Sequence, residues 1–191
     1  MTFILLLLFS YLLGSVSFAF LFTFFLAGKD IRTMGDGNPG AANVARQVGK
    51  KWGILVWLGD TLKAMLAMSV ARFFGVQAVL FLAFIGTAAI IGHCYPVFLR
   101  FKGGKGAATT GGALFYLAPQ ILPVVIAFWF IAQKTNPRDM RIVLPEIALY
   151  FVFLYFLYPQ NFGALAAATV LFIAIGLLVN PAVVREILTS D

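Results

Sequence analysis

The 191-residue sequence is poor in charge: Asp, Glu, Lys and Arg make up 11% of it, whereas 62% is hydrophobic. This shortage excludes an ordinary soluble domain, in which about 25% of the residues are charged. The single cysteine, Cys94, excludes an internal disulfide and a cysteine-rich metal site. The single histidine, His93, argues against a histidine-based zinc centre. The composition therefore predicts an integral membrane protein without a cysteine-rich metal site or a histidine-based zinc centre.

Long apolar stretches alternate with short polar segments along the whole chain. A helix needs about 20 apolar residues to cross a bilayer. Pro119 and Pro123 interrupt one stretch, and we expect it to form two short helices that re-enter or tilt. The first stretch is too long for a signal peptide, so we expect a retained span. Gly14, Ser15 and Ser17 give this span a small-residue face where another helix could approach closely. The sequence predicts an all-α polytopic membrane protein with about seven transmembrane or partly spanning helices, over residues 3–27, 52–71, 77–99, 107–117, 120–132, 142–158 and 162–179.

Basic residues are concentrated between these helices. Loops 29–51, 100–105 and 133–141, together with the C-terminal tail, carry 12 of the 14 Lys and Arg residues. The positive-inside rule places these segments in the cytoplasm, with the N-terminus outside and the C-terminus cytoplasmic. This topology requires residues 107–132 to enter and leave on one side. As a single span they would place loop 133–141 outside, against the rule.

Two glycine-rich loops carry the polar chemistry. Residues 35–46 read GDGNPGAANVAR, and residues 101–106 read FKGGKG. Glycine lets successive backbone N–H groups turn toward one anion, and Arg46 and Lys105 would add positive charge. The alternative is a plain connector, which suits the second loop better than the first. We interpret both loops as a cradle for phosphate, helped by the positive end of the helix that starts at Ala107.

The first loop also matches the letters of the dinucleotide fingerprint, Gly35-x-Gly37-x-x-Gly40. That fingerprint requires a preceding strand and a helix that opens within it. Here a membrane span precedes the pattern and Pro39 lies inside it, so we reject this interpretation. The second loop is no Walker A motif, because Lys105 is followed by glycine.

Ionisable side chains also fall within the apolar stretches, among them Asp60, Lys63 and His93. Asp60 and Lys63 are three positions apart and therefore share one helix face. They form either an ion pair that seals helix packing or part of a polar site, because charge within a membrane is costly. His93 is either a hydrogen-bonded packing residue or the one candidate for a conventional histidine base.

These motifs resemble the acyl-phosphate:glycerol-3-phosphate acyltransferase family, the bacterial PlsY enzymes. The first loop is similar to the family's GSGNPGATNxxR, and residues 101–109 are similar to its FKGGKGxAT. Residues 92–98 match its GHxYPVF stretch, while Leu13-Gly14-Ser15 and Asp60-x-x-Lys63 also fit. The resemblance covers roughly the first 112 residues.

The resemblance implies one integral membrane acyltransferase domain over residues 1–191, in the bacterial cytoplasmic (inner) membrane, with its active site facing the cytoplasm. The implied reaction moves a fatty acyl group from acyl phosphate to the sn-1 hydroxyl of glycerol 3-phosphate, giving lysophosphatidate and inorganic phosphate for phospholipid synthesis. Acyl phosphate is already activated, so the resemblance implies that positioning and charge stabilisation suffice, without a protein nucleophile, a metal or a cofactor. The implied enzyme is a monomer in the lipid bilayer, with an apolar groove for the acyl chain and no nucleic-acid partner.

The resemblance also implies roles for individual residues. The expected catalytic residues are Arg46, Lys105 and Asn43. The substrate phosphate is expected on Gly35, Gly37, Asn38, Gly40, Ala41, Gly103, Gly104 and Gly106. The expected supporting residues are Asp36, Asp60, Lys63, His93 and Asn180.

The sequence departs from the family pattern on the expected acceptor side. Asp36 replaces a serine and brings negative charge toward a phosphate site, unless it meets Arg32 or Arg46. Ala42 replaces a threonine, and the tail lacks the family's final motif. Two alternatives therefore stay open: a related enzyme with a different acceptor, and a membrane protein that binds lipid or phosphate without turnover.

Overall fold

The structure, a computed structural model, describes residues 2–121, 123 and 140–179, and for residues 140–146 it describes the backbone alone. Every regular element in these ranges is helical, as the sequence predicts. The α-helices are α1 (Thr2–Ser15), α2 (Phe18–Ala27), α3 (Ala41–Gln47), α4 (Lys50–Phe73), α5 (Val79–Cys94), α6 (Ala107–Leu117), α7 (Met140–Leu157) and α8 (Phe162–Val179). Short 3₁₀ turns cover Ile31–Thr33, Val97–Leu99 and Pro119–Ile121.

Within the described residues, four stretches are long and apolar enough to cross a membrane. They are Thr2–Ala27, Lys50–Phe73, Val79–Leu99 and Phe162–Val179. Large apolar side chains such as Phe25 and Leu178 are more than 70% exposed on these helices, as expected for surfaces that face lipid. This confirms an integral membrane protein. Most of the predicted helix 120–132, most of loop 133–141, and the tail with Asn180 lie outside the described residues.

The first span is broken, whereas the sequence predicts one helix over residues 3–27. The chain leaves helical geometry at Val16 and Ser17 and restarts at Phe18. Ser17 caps α2, because its Oγ accepts a hydrogen bond from the Phe20 N–H at 3.2 Å. That N–H would otherwise bond to the carbonyl of Val16, four residues earlier. The break therefore leaves a carbonyl inside the membrane that needs another donor.

Helices α1 and α5 run parallel and in close contact. Ser10 donates a hydrogen bond to the Ile85 carbonyl at 2.6 Å, and an added Cβ on Gly14 would lie 2.2 Å from the Ala89 carbonyl oxygen. The predicted small-residue face on the first span is thereby confirmed. Because both helices run in the same direction, the polar segments that follow them lie on the same side of the protein.

Glycine brings other helices equally close. A Cβ on Gly112 of α6 would lie 2.1 Å from the Thr61 carbonyl oxygen of α4. At the centre of the core, Gly86 of α5 contacts Met68, Ala113 and Phe172, which come from α4, α6 and α8. This packing fixes the C-terminal end of α5 and the N-terminal end of α6, and the second polar loop lies between these two ends.

Candidate functional site

The first glycine-rich segment is a loop only as far as Gly40. Residues Ala41–Gln47 form helix α3, so the prediction of a loop over residues 35–46 is wrong for its second half. Arg46 lies in the last turn of α3. The helix packs on α4 through Gly53, where an added Cβ would lie 2.8 Å from the Ala41 carbonyl oxygen. The arginine is therefore carried by a short helix docked on a membrane span.

Asn43 holds the loop in shape from inside. Its side chain is fully buried, and Nδ2 donates hydrogen bonds to the carbonyls of Met34 at 2.9 Å and Asn38 at 3.1 Å. A longer contact of 3.4 Å reaches the carbonyl of Ile31. The amide thus joins both arms of the loop from the first turn of α3.

Several loop N–H groups are used within the protein, contrary to the expected cradle. The Gly37 N–H donates to Met34 at 3.0 Å, and the Gly40 N–H donates to Asn38 at 2.9 Å. In a short loop, backbone donors satisfy nearby carbonyls before any ligand arrives. These two glycines therefore shape the turn in this structure, and their N–H groups do not converge on an open anion site.

Asp36 forms an ion pair with Arg46. Asp36 Oδ2 and Arg46 Nη2 lie 2.5 Å apart, and about half of each side chain is exposed. Asp36 Oδ1 also accepts a hydrogen bond from the Asn38 N–H at 3.1 Å. Asp36 brings a negative charge where the family pattern has a serine, and Arg46 of the same motif neutralises that charge.

Arg32 joins the two polar loops, a role that the sequence analysis did not assign to it. Its guanidinium holds Asp30 through contacts of 2.6–3.0 Å and donates from Nη1 to the Leu99 carbonyl at 2.9 Å. The hydrogen bonds from Arg32 hold the pKa of the Asp30 carboxyl below its ordinary value. Of these contacts, the Asp30–Arg32 pair alone has a signal in the sequence, which is the i,i+2 spacing of a carboxylate and an arginine.

The second loop closes the end of α5. The Gly103 N–H donates to the Cys94 carbonyl and the Gly104 N–H to the His93 carbonyl, both at 3.1 Å. These two N–H groups satisfy helix-end carbonyls, so the expectation that they point to phosphate is not met. Gly106 then adopts a left-handed conformation (φ 80°) as the N-cap of α6, and Lys105 beside it is exposed.

Asp60, Lys63 and His93 form one buried cluster. Lys63 Nζ lies 3.0 Å from Asp60 Oδ1, 2.8 Å from His93 Nδ1 and 3.3 Å from the Val16 carbonyl oxygen. An ammonium group has three N–H donors and no acceptor, and here each donor has one acceptor. The carbonyl freed by the break after α1 is therefore satisfied by Lys63.

His93 lies inside this cluster. Lys63 Nζ and Asp60 Oδ1 lie 2.8 Å and 3.4 Å from its Nδ1. Nε2 faces Gly104, where an added Cβ would lie 2.3 Å away. This geometry favours the packing interpretation of His93, as a hydrogen-bonded residue that supports the second loop.

The two loops present different groups. The first offers the Asp36–Arg46 pair at the surface, the second offers Lys105, and Arg32 holds them together. Among residues 2–121, 123 and 140–179, no cluster of His, Cys, Asp and Glu side chains could hold a metal. Such a surface can neutralise phosphate groups by charge and hydrogen bonds.

The sequence is similar to those of known membrane acyltransferases. A family model described as glycerol-3-phosphate acyltransferase matches residues 4–187. The glycerol-3-phosphate acyltransferase of Pseudomonas aeruginosa is 41% identical over 162 residues, which cover 85% of this chain and 84% of that protein. The enzyme of the same name from Coxiella burnetii is 45% identical over 131 residues, covering 69% and 67%.

Two solved structures share the fold. Both are crystal structures of PlsY, an integral membrane glycerol 3-phosphate acyltransferase. The glycerol 3-phosphate form has a TM-score of 0.77 and 32% identity, and covers 99% of this chain and 93% of that one. The lysophosphatidic acid form has a TM-score of 0.76 and 30% identity over the same shares.

Proposed function

The chain belongs to the glycerol-3-phosphate acyltransferase family and is an integral membrane acyltransferase, and on that premise we propose that its donor is acyl phosphate and its acceptor the sn-1 hydroxyl of glycerol 3-phosphate. The observation that carries this proposal is the joining of the two polar loops through Arg32 and Leu99. Arg46 and Lys105 are thereby presented on one side of the protein. The solved relatives hold glycerol 3-phosphate in one form and a lysophosphatidic acid in the other, which supports the acceptor and the product.

The proposed reaction is a direct acyl transfer. The sn-1 oxygen attacks the acyl carbon, a new ester bond forms, and the bond between that carbon and the phosphate oxygen breaks. The hydroxyl proton passes to a phosphate oxygen, and inorganic phosphate leaves. Because the donor is a mixed anhydride, the protein has to align two anionic substrates and offset their charge.

Arg46 and Lys105 supply that charge. Each is exposed, and each can make a charge-assisted hydrogen bond to phosphate oxygens. When substrate binds, the Arg46 guanidinium leaves the Asp36 carboxylate and binds the substrate phosphate. Both side chains are about half exposed, so their ion pair is weak and costs little free energy to break. Asn43 acts as a positioning residue, since its amide is spent on loop carbonyls.

The glycines of the two loops serve the site through shape. Gly103 and Gly104 let the second loop lie directly on His93 and Pro96, where side chains would collide. Gly35 does the same above Asn43, whose Oδ1 would lie 2.3 Å from an added Cβ. We assign the remaining expected residues, Asn38, Gly40 and Ala41, to the turn that starts α3.

We further propose that both polar loops face the cytoplasm of a bacterial inner membrane and that the N-terminus lies outside. The two loops carry eight basic residues on one side: Lys29, Arg32, Arg46, Lys50, Lys51, Arg100, Lys102 and Lys105. At the opposite end, the last turn of α4 carries Arg72, and residues 74–78, which lead to α5, carry no charged side chain. This asymmetry is the one that the positive-inside rule recognises. We propose a monomer.

A different acceptor is the second candidate, and Asp36 favours it. Its carboxylate competes with substrate phosphate for Arg46, which would select an acceptor that carries less negative charge.

Phosphate release by the purified, detergent-solubilised protein tests both candidates. The protein is given palmitoyl phosphate, with and without glycerol 3-phosphate, in the absence of added metal. Release that requires glycerol 3-phosphate supports the proposed reaction. Release that requires another polyol instead supports the second candidate, and no release with any acceptor contradicts both.

A further inference from the structure

The second polar loop begins with a strained turn, formed by the consecutive residues Arg100 and Phe101. Their φ angles are 54° and 61°. For residues other than glycine this left-handed region is strained, because Cβ comes too close to the following carbonyl oxygen. Within residues 2–121, 123 and 140–179, these are the only positions with a positive φ that are not glycine. Strain of this kind persists where the surrounding structure holds it, and such positions cluster at functional sites.

The strained turn reverses the chain at the end of α5. The Phe101 N–H donates a hydrogen bond to the Pro96 carbonyl at 2.9 Å. The reversal brings Gly103 and Gly104 back onto the last residues of α5, whose carbonyls accept their N–H groups at 3.1 Å. Lys105 is the next residue in the chain. The position of Lys105 therefore depends on a turn that must be held against its own strain.

Arg32 holds this turn from the first polar loop. Its Nη1 donates to the Leu99 carbonyl at 2.9 Å, immediately before the strained turn. The same carbonyl accepts the Lys102 N–H at 3.3 Å, so both lone pairs of the oxygen have a donor. The guanidinium also contacts Asp30 and the ring of Phe20, whose centroid lies 5.8 Å from Cζ. Three separate contacts therefore fix the group that holds the turn.

We propose that Arg32 is a positioning residue for acyl transfer. It holds the strained turn, and the turn presents Lys105 at a fixed place relative to Arg46. The assignment rests on the proposed function, because that function requires two anionic substrates to meet in one alignment. Arg32 touches neither substrate. It determines the geometry in which the bound substrates react, rather than how tightly each one binds.

Steady-state kinetics test the role of Arg32. A small misplacement of aligned substrates costs up to about 100-fold in rate, even when the charges that bind them are still present. We expect Arg32→Gln to lower kcat about tenfold or more, with each KM changed by less than about threefold. Arg72→Gln removes the same charge from the last turn of α4 and should keep the wild-type kcat. An unchanged kcat in Arg32→Gln, or an equal decrease in Arg72→Gln, overturns the proposal.

Arg32→Lys covers the case in which Arg32→Gln fails to fold. It keeps the positive charge but has no planar fork, so it cannot serve Asp30 and Leu99 in the same geometry. We expect kcat to decrease about threefold or more in this variant as well. A wild-type kcat would mean that charge alone is sufficient, and it would overturn the positioning role.

A glycine in the strained turn provides a rescue experiment. Arg100→Gly removes strain, because glycine adopts the left-handed conformation without steric cost. The turn then needs less support, so Arg32→Gln/Arg100→Gly should recover at least about threefold of the kcat that Arg32→Gln loses. Lys102→Gly removes the same charge from the same loop at a residue whose φ is not positive, and it should recover nothing. Equal recovery with both glycines, or recovery with neither, contradicts the proposal.

Two measurements that need no turnover separate this proposal from the proposed function. In thermal unfolding in detergent, Arg100→Gly should unfold about 2 °C or more above the wild type, and Lys102→Gly at or below it. In hydrogen exchange, the amides of residues 95–106 should exchange about tenfold faster in Arg32→Gln than in the wild type or Arg72→Gln. Values that are equal in all variants overturn the role of Arg32 even in an active enzyme. The expected values in a protein that releases no phosphate support the held turn and contradict the proposed function alone.

Discussion

Arg32 Nη1 donates a hydrogen bond to the carbonyl oxygen of Leu99, 2.9 Å away, and so connects two loops that are 67 positions apart in the chain. The same guanidinium is held by Asp30 on the other side. A planar group with five donors can serve both partners at once, which a lysine ammonium cannot do in the same geometry. The relative position of the two loops therefore depends on one arginine and on the charge of its carboxylate partner.

Acid should weaken this connection. Because the pKa of Asp30 is lowered in the folded protein, the Asp30–Arg32 pair stabilises the fold above the ordinary pKa of 3.8 and loses that contribution as pH falls through the lower folded value. We expect Asp30→Asn to unfold at a lower temperature than the wild type at pH 7. The difference should shrink as the pH is taken below 3.8. Thermal unfolding in detergent across this range measures it, and a difference that grows at low pH contradicts the assignment.

Removal of the buried ammonium should be costly. Lys63→Met leaves the Asp60 carboxylate without its partner in a site that is about 2% exposed. Breaking a buried ion pair from one side costs about 3–5 kcal/mol. We expect a decrease of that size in the free energy of unfolding in mixed micelles. The double variant Asp60→Asn/Lys63→Met should recover part of it, and equal losses in single and double variants would contradict the account.

The close contact of α1 and α5 predicts a sharp difference between two glycines. Gly14→Ala introduces a Cβ 2.2 Å from the Ala89 carbonyl oxygen, so the helices must separate, at a cost of about 1–3 kcal/mol. Gly163→Ala, at a position with nothing within 4 Å, is the matched control and should unfold at or slightly above the wild-type temperature. Similar losses in both variants would show that the contact does not limit helix approach.

Loss of either proposed phosphate ligand should lower activity. Arg46→Ala and Lys105→Ala each remove a charge-assisted hydrogen bond of about 1.5–3 kcal/mol, so kcat/KM should decrease about tenfold or more. Lys29→Ala removes the same charge from the exposed start of the first polar loop and controls for net charge. Wild-type rates in both active-site variants, or an equal decrease in Lys29→Ala, would disprove the assignment.

Asp36→Ser should have the opposite effect. It releases Arg46 from its carboxylate partner and restores the serine of the family pattern. Exposed ion pairs are worth about 1 kcal/mol or less, so the KM for the phosphate-bearing substrate should decrease by about two- to fivefold. An unchanged or higher KM in steady-state assays would show that Asp36 does not compete with substrate.

The positions of the helices were predicted well where the apolar composition of a stretch determines them. Residues 107–117 form a helix with the predicted ends, and the small-residue face at Gly14 meets another helix as expected. The break at Ser17 was missed, because a cap within a long apolar run leaves its hydropathy unchanged. A helix cap depends on one local hydrogen bond, and in this stretch several residues could have provided one.

The ion pair of the first polar loop was predictable from the sequence, whereas most hydrogen bonds of the two loops were not. The motif indicated Asp36 and Arg46, and the structure pairs them. The N–H groups of Gly103 and Gly104 satisfy α5 instead of an anion, since a helix end and a ligand compete for the same donors and only the fold determines which one is in reach. The link from Arg32 to Leu99 has no signature in the sequence, because its partner is a backbone carbonyl.

The three acceptors of Lys63 bear on how the membrane helices of this protein associate. One acceptor lies in α4 itself, one at the break after α1 and one in α5, so the ammonium is fully coordinated only when three separate segments have met. A span that enters the bilayer with Asp60 and Lys63 incompletely paired is costly on its own. Helix association then offsets a cost that insertion incurs. The cluster thus favours the bundle in which α1, α4 and α5 are all associated over one in which any of the three is missing.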